Sequence, residues 1–298
     1  MPRVSVIVPA HDSAQSIVAT LESVRGQTFP DWEVVVCDDA STDATAEVVE
    51  RLRDPRISLV RAPRNLGPAG ARNLALERAQ GELVAFLDAD DRWLPRYLQS
   101  QVEAYDHART AGDVGLVACD AHIEEAGRRL EDSYLEQFAA VEPLGLDRVL
   151  RRNCVFISAL APRAVVDELG GFAPELFGTE DHDLWIRILE TGRRAVLNRE
   201  ILAVYRRAPG SVSSNVARMG ANNQRTYARA LARGRLSPDQ RRIARSELRY
   251  NRAMEAVAGA WFDRRPARLL RALPSVLLVA ATRPDHWRDW LRVLRPAA

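Results

Sequence analysis

Residues 82–91 read Glu-Leu-Val-Ala-Phe-Leu-Asp-Ala-Asp-Asp. Leu83 to Leu87 has the length and unbroken apolar character of a strand buried on both faces, and it runs directly into Asp88, Asp90 and Asp91. Alternate residues of an extended backbone face the same side, so Asp88 and Asp90 converge on one object while Ala89 points away. A divalent cation carrying a phosphorylated ligand suits such a pair, because magnesium and manganese take hard oxygen ligands and few protein contacts beside phosphates. On this stretch alone a second reading stands equally: the acids cap a helix that begins near Trp93.

The preceding sequence repeats one unit. Val4 to Val8 is a β-branched run followed by Pro9, Ala10, His11 and Asp12, after which Ser13 can cap a helix with Ile17, Val18, Leu21 and Val24 at helical spacing and Gly26 past its end. Glu33 to Cys37 is a second strand ending in Asp38 and Asp39, and Ser41 to Thr45 opens a helix to about Arg53. Ile57 to Val60 is a third strand; Arg64, Asn65 and Gly67 turn the chain into a helix over 69–79, with Gly81 behind it. Strands alternating with helices predict an α/β fold, a mostly parallel central sheet flanked by helices, with ligands beyond the carboxyl ends of the strands. His11 and Asp12, Asp38 and Asp39, and Asp88 to Asp91 all fall at that edge, which favours a site over capping alone.

Further along, the pattern predicts a helix from Trp93 to about Ala108 and a strand over Val114 to Cys119. A short strand over Cys154 to Leu160 and a helix over Arg163 to Leu169 follow. Thr179 can cap a helix opened by Glu180 and Asp181, and Ala195 to Leu197 and Ile201 to Tyr205 are strand-like. Residues 122–140 are polar and weakly periodic.

Apolar residues make up 47% of the 298, ample for a large core. Cys37, Cys119 and Cys154 are odd in number and far apart, as buried thiols of a reducing compartment would be. The amino terminus enters a strand at once, so no cleaved secretory leader is expected, and a cytoplasmic location follows. All 42 basic residues are arginine. Without lysine, Schiff-base chemistry and the lysine-containing phosphate loop are excluded, and Pro9-Ala10-His11-Asp12 lacks the glycines of a dinucleotide-binding turn. What is left is a fold that holds a nucleotide with carboxylates and bridges its diphosphate with a metal.

These pieces carry a resemblance. Val4 to Pro9 with Asp12, Asp38-Asp39-Ala40-Ser41-Thr42-Asp43, Arg64-Asn65-Leu66-Gly67 with Ala71-Arg72-Asn73, Asp88-Ala89-Asp90-Asp91 with Trp93 and Pro95, Gly170-Gly171-Phe172, and Thr179-Glu180-Asp181 with Leu184-Trp185 and Arg187 stand in the order of the family 2 glycosyltransferases. Over residues 3–212 the chain resembles that family, with its A-type nucleotide-diphospho-sugar transferase fold. The resemblance implies an inverting, metal-dependent transfer from a nucleotide-diphospho-sugar, a UDP-sugar foremost, to an acceptor hydroxyl. Asp39 would accept a hydrogen bond from the base, flanked by Pro9, Ala10, His11 and Asp12. Arg72 would lie against the nucleotide or its phosphates, Asp88 would face the ribose or donor sugar, and Asp90 would bind manganese or magnesium. Asp91 would orient its neighbours or cap the following helix. Asp181 would be the general base, with Glu180 as its alternate. The Gln-x-x-Arg-Trp motif of processive members is absent, with Tyr205-Arg206-Arg207 in that region, which implies transfer of a single sugar. The competing reading is a catalytically silent domain of the same fold that binds a nucleotide or a partner.

Charge divides the chain. The last 80 residues, from Met219, carry 17 arginines against 6 acids, and the first 218 carry 25 against 34. The expected organisation is a catalytic domain over 1–216 and a basic helical C-terminal extension over 217–298. Its helices pack on the acidic body, or Trp287 and Trp290 with Arg288, Arg292 and Arg295 meet the anionic cytoplasmic face of a membrane, as a lipid-linked rather than free saccharide acceptor would favour. No reading motif accompanies the charge, so nucleic acid is not expected as a partner.

Overall fold

The computed structural model describes residues 1–138, 141–207 and 216–262. Its first half follows the sequence pattern: β1 (Val4–Ala10), α1 (Ile17–Arg25), β2 (Trp32–Asp38), α2 (Thr45–Arg51), β3 (Ile57–Arg61), α3 (Gly67–Leu76) and β4 (Leu83–Phe86). β1 lies parallel to both β2 and β4, with Ala10 opposite Asp38 and Ile7 opposite Phe86, and β3 adds to β2 in parallel. That register ends β1, β2 and β4 at one edge, so the acids that follow them share it.

The second half consists of β5 (Arg92–Trp93), α4 (Tyr97–Arg109), β6 (Val114–Glu125), β7 (Arg128–Arg129), a single 3-10 turn at Leu135–Gln137, α5 (Leu146–Arg151), β8 (Leu160–Pro162), α6 (Arg163–Glu168), α7 (Glu180–Glu190), β9 (Arg194–Arg207), α8 (Val216–Ala232) and α9 (Pro238–Phe262). The strand order is β3-β2-β1-β4-β8-β6-β9-β5, with β7 paired to β6. Here the sheet becomes mixed, because β8 pairs antiparallel to both β4 and β6 while β9 runs parallel to β6.

Several expected boundaries move for local reasons. α1 begins at Ile17, because the Ser13 carbonyl first closes a turn onto the amides of Ser16 and Ile17. α2 begins at Thr45, since the amides of Thr42 and Asp43 are taken by the Asp12 carboxylate. No helix starts at Trp93: Arg92 and Trp93 pair with β9, and Pro95 holds the preceding residue out of the helical region until Tyr97. Cys154 to Ala159 is buried but unpaired, and only Leu160–Pro162 is strand, while α5 before it was not foreseen. The two short strands expected near 195–205 are one long β9, its pairing to β6 interrupted by irregularities around Asp120.

Two contacts seat α7 against the sheet edge. Phe86, at the end of β4, meets Phe172 edge-on at 5.0 Å and Trp185 of α7 at 6.0 Å between ring centroids. Asn73 of α3 bonds both the amide and the carbonyl of Phe172, each at 2.8 Å. Gly171, at φ +69°, is where the chain turns past that side chain: a Cβ there would stand 2.4 Å from the Asn73 amide oxygen.

The basic helices pack on the body. Ala230 of α8, Leu236, and Ile243 and Ala244 of α9 join the apolar core cluster of the sheet. The Thr226 hydroxyl lies 3.0 Å from that of Thr179 and the Asn222 amide bonds the Phe177 carbonyl. At the junction, the fully buried Asp183 carboxylate receives Arg187 at 2.7 Å, Arg233 at 3.0 Å and Arg229 at 3.5 Å. Burial pushes its pKa up, but the charges of Arg187 and Arg233 outweigh that and leave it below the ordinary value. Among the described residues no helix is long and apolar enough to cross a membrane. The segment with Trp287 and Trp290 lies outside the described residues.

Removing Asp183 strands two or three guanidinium groups, and breaking a buried pair from one side typically costs about 3–5 kcal/mol. Asp183→Ala is therefore expected to lose stability on that scale in urea unfolding, and Arg229→Ala, at the exposed rim, much less. A loss for Asp183→Ala of only about 0.5 kcal/mol, as at an ordinary surface site, would show that this ion cluster does not anchor α8.

Candidate active site

The floor of the edge is set by the loops after β1 and β2. Asp12 and Ala40 both adopt positive φ, at 47° and 55°, a conformation non-glycine residues hold only when their surroundings impose it. Asp12 is held by its own carboxylate, which accepts the Thr42 amide at 2.7 Å, and that bond leads the lowering of its pKa. The Ala10 carbonyl accepts the Asp39 amide at 2.7 Å, and the Asp39 carbonyl accepts a hydrogen bond from His11 Nδ1 at 2.9 Å. The Asp39 side chain is nearly buried; its Oδ1 takes the Leu66 amide at 2.6 Å, leaving Oδ2 without a hydrogen bond among the described residues. Pro9, Ala10, His11, Asp12 and Asp39 are thus brought together. Asp38 takes the Ser41 amide at 3.4 Å.

The β4 acids divide by their partners. Asp88 Oδ1 accepts Arg72 Nη2 at 2.5 Å, and the same guanidinium reaches Glu180 Oε1 with Nη1 at 2.7 Å. Arg72 is 3% exposed, and although burial works against its charge, Asp88 and Glu180 outweigh that and raise its pKa. Its fork is therefore spent on two carboxylates. Asp90 has no such partner: burial, then the Asp88 charge, pushes it up to about 6. Asp91 is buried, and burial followed by the charges of Asp90 and Asp88 raises it well above the ordinary range.

Asp91 does not cap the following helix. Its Oδ1 accepts the Arg206 amide at 2.8 Å, tying the acidic turn to the end of β9, while α4 begins only at Tyr97, with no side-chain cap. Two side chains absent from the sequence reading complete the geometry. Thr20 of α1 donates its hydroxyl to the carbonyls of Ala89 and Asp91, at 2.9 and 2.8 Å, fixing the turn from beneath. Asn153, just past α5, donates Nδ2 to Asp181 Oδ2 at 2.9 Å.

Asp181 and Glu180 open α7. Thr179 stands at the N-cap position without a side-chain cap bond; Glu180 instead folds back to accept the Gly178 amide at 2.5 Å. Asp181 accepts the His182 amide at 2.7 Å, and burial, then the Glu180 charge, pushes its pKa up to about 7 against the hydrogen bonds from Asn153 and His182. A carboxyl poised near neutrality is suited to proton transfer. Among the described residues no three His, Cys, Asp or Glu side chains cluster as a metal cage. Asp90, which no side chain hydrogen-bonds among the described residues though the Arg206 charge acts on it, and the unpaired buried Oδ2 of Asp91 are hard oxygens that fit a cation drawing the rest of its shell from phosphate and water.

The chain is similar to several known proteins. The model of the family described as "Glycosyl transferase family 2" matches residues 5–160. The putative teichuronic acid biosynthesis glycosyltransferase TuaG of Bacillus subtilis is 34% identical over 221 residues, covering 72% of this chain and 82% of that protein. The Escherichia coli UDP-Glc:alpha-D-GlcNAc-diphosphoundecaprenol beta-1,3-glucosyltransferase WfaP is 30% identical, covering 72% and 81%. Among solved structures, S. aureus TarS 1–349 in complex with UDP-GlcNAc shares the fold at TM-score 0.70 and 20% identity, covering 94% of this chain and 81% of that one. The mannosyltransferase PcManGT from Pyrobaculum calidifontis, in complex with GDP-Man and Mn2+, gives 0.65 at 27%, covering 95% and 75%.

Fold and edge together define a glycosyltransferase of the A-type nucleotide-diphospho-sugar transferase fold. The chain belongs to glycosyl transferase family 2, and the reading as a silent domain falls with that.

Because Arg72 spans two carboxylates with one planar fork, charge alone does not replace it. Arg72→Lys is expected to fold yet to lose about tenfold or more in transfer rate, and Arg72→Met to lose both activity and several degrees of melting temperature. Full activity in Arg72→Lys would show that the bridge is not required.

Proposed function

We propose that this enzyme transfers one sugar, with inversion, from a UDP-sugar to a hydroxyl of a lipid-linked saccharide during assembly of a cell-envelope polysaccharide. The observation that carries the reaction is Asp181: a carboxyl raised toward neutrality at the start of α7, joined through Glu180 and Arg72 to the acids of β4.

In a single displacement the acceptor oxygen forms its bond to the anomeric carbon while the bond to the departing diphosphate breaks. Asp181 takes the acceptor's hydroxyl proton. Asp90 would hold a divalent cation, manganese or magnesium, which when bound would supply charge neutralisation to the leaving diphosphate. Asp39 Oδ2 is open to accept the ring N–H of uracil, with Pro9, Ala10 and His11 at the base and Asp12 fixing the loop. Asp88, oriented by Arg72, faces the ribose or donor sugar; Glu180 sets the charge around Asp181 in place of acting as the base.

The UDP-sugar and the lipid-diphosphate acceptor are supported by what WfaP is named for, and the envelope polysaccharide by TuaG. Transfer of one sugar is supported by the absence of a Gln-x-x-Arg-Trp motif after Asp181. A lipid-linked acceptor also gives the arginine-rich carboxyl terminus a use at the cytoplasmic face of a membrane.

A thermal-shift panel of UDP-, GDP- and dTDP-sugars with manganese tests donor and metal together. UDP-sugars are expected to stabilise the protein, and the manganese-dependent part of that shift to vanish in Asp90→Ala. A GDP-sugar preference would overturn the donor assignment, and a shift unchanged by chelation the metal assignment.

The pH dependence follows from the sign of the Asp181 shift. The base works ionised and its pKa is raised, so kcat/KM is expected to be full above about pH 7 and to fall as pH drops through it. A rate flat down to pH 5, measured with the preferred donor, would remove Asp181 from that role.

A further inference from the structure

Asn153 follows α5 and is held in place from behind. The Tyr134 hydroxyl reaches its carbonyl oxygen at 3.4 Å, and the Tyr134 ring packs on Phe156 and Phe138, each at 5.4 Å between centroids. Its side-chain Nδ2 donates to Asp181 Oδ2 at 2.9 Å, whereas Oδ1 is buried with no hydrogen-bond partner. An unpaired buried acceptor in a native structure calls for a reason. The groups around Asp181 are Glu180 beside it, Arg72 across the site, the His182 amide on its own helix and the Tyr134 hydroxyl from the loop before α5, with Arg152 near Tyr134. None of these supplies a partner to Asn153 Oδ1.

We propose that Asn153 is the positioning residue of the general base and serves both of its protonation states: Nδ2–H holds the ionised carboxylate in place, and a half-turn of the amide presents Oδ1 to the carboxylic O–H once Asp181 has taken the acceptor's proton. The proton passes from the acceptor hydroxyl to Asp181 and stays there until released to solvent; Asn153 changes only its hydrogen bond. With Asp181 ionised, the turned amide would set two acceptors face to face, so the charge on Asp181 selects the observed orientation. After protonation the reverse holds, and the idle oxygen acquires its partner. The inference rests on the reading of Asp181 as the base.

The test uses the full chain with aspartate labelled at 13Cγ, the Asp181 signal being the one missing from Asp181→Asn. Asn153→Leu keeps the side chain's shape and removes donor and acceptor together; because the bond to the charged carboxylate is about twice as strong as the one to the neutral acid, the loss is expected to raise the Asp181 titration midpoint by roughly one pH unit. The acid limb of UDP-glucose turnover with manganese should move by the same amount, with the KM for UDP-glucose unchanged. Asn153→Ala repeats the titration if the leucine variant is unfolded. A midpoint that stays in place in the folded variant, with Asp181→Asn inactive, overturns the inference and leaves the base reading standing. Turnover retained in Asp181→Asn removes the base reading and the inference with it.

Discussion

One guanidinium joins the two halves of this enzyme. Arg72 belongs to α3, in the parallel half of the sheet, and its fork spans Asp88, at the end of β4, and Glu180, 108 residues further along the chain at the start of α7. Burying an arginine is costly unless its charge is matched, and here two carboxylates match it, each taking a bond from one terminal nitrogen while Nε is left without a partner among the described residues. The bond therefore ties the helix that carries Asp181 to the turn that carries Asp90. It also sorts the acids: those touching Arg72 are paired, and Asp90 and Asp181, which do not hydrogen-bond it, are the ones raised to about 6 and about 7. On the proposed reading Asp90 is the metal ligand and Asp181 the proton acceptor.

α7 is held from its other side as well. Asp183 lies two residues beyond Asp181, about 200° around the helix, and binds Arg229 of α8 and Arg233 just past its end as Asp181 faces the site. His182 between them hydrogen-bonds the Val149 carbonyl of α5 at 2.8 Å, and burial lowers its pKa, so it is a neutral packing group. The basic helices are thus part of the support for the catalytic helix, and the arginine excess is partly spent there.

Much of this was legible in the sequence because it is local. A strand of unbroken apolar residues ending in acids can be read from ten positions, and the repeated strand and helix units fix the edge to which Asp12, Asp39 and Asp88 to Asp91 are delivered. What escaped depends on contacts between distant segments. Trp93 reads as helix, yet pairs with β9; Asp91 reads as a cap, yet holds the Arg206 amide. Arg72 reads as a phosphate contact, and nothing in its neighbours shows that Asp88 and Glu180 will fill its fork. Asn153 stands in an Arg-Arg-Asn-Cys run with no periodicity, and only the return of the chain past α5 brings it to Asp181. The region over 120–160 is the least regular of the described chain, and its residues carry signals of burial more than of function.

The account comes down to one carboxylate acting in one displacement. The anomeric configuration of the first-formed product decides this directly, by proton NMR of the reaction with an α-linked UDP-sugar before any mutarotation or further transfer. A β-linked product, with the large axial coupling of its anomeric proton, is the result expected from Asp181 as the single base. An α-linked product would mean retention, which a single back-side displacement does not give, and would contradict the assignment of roles.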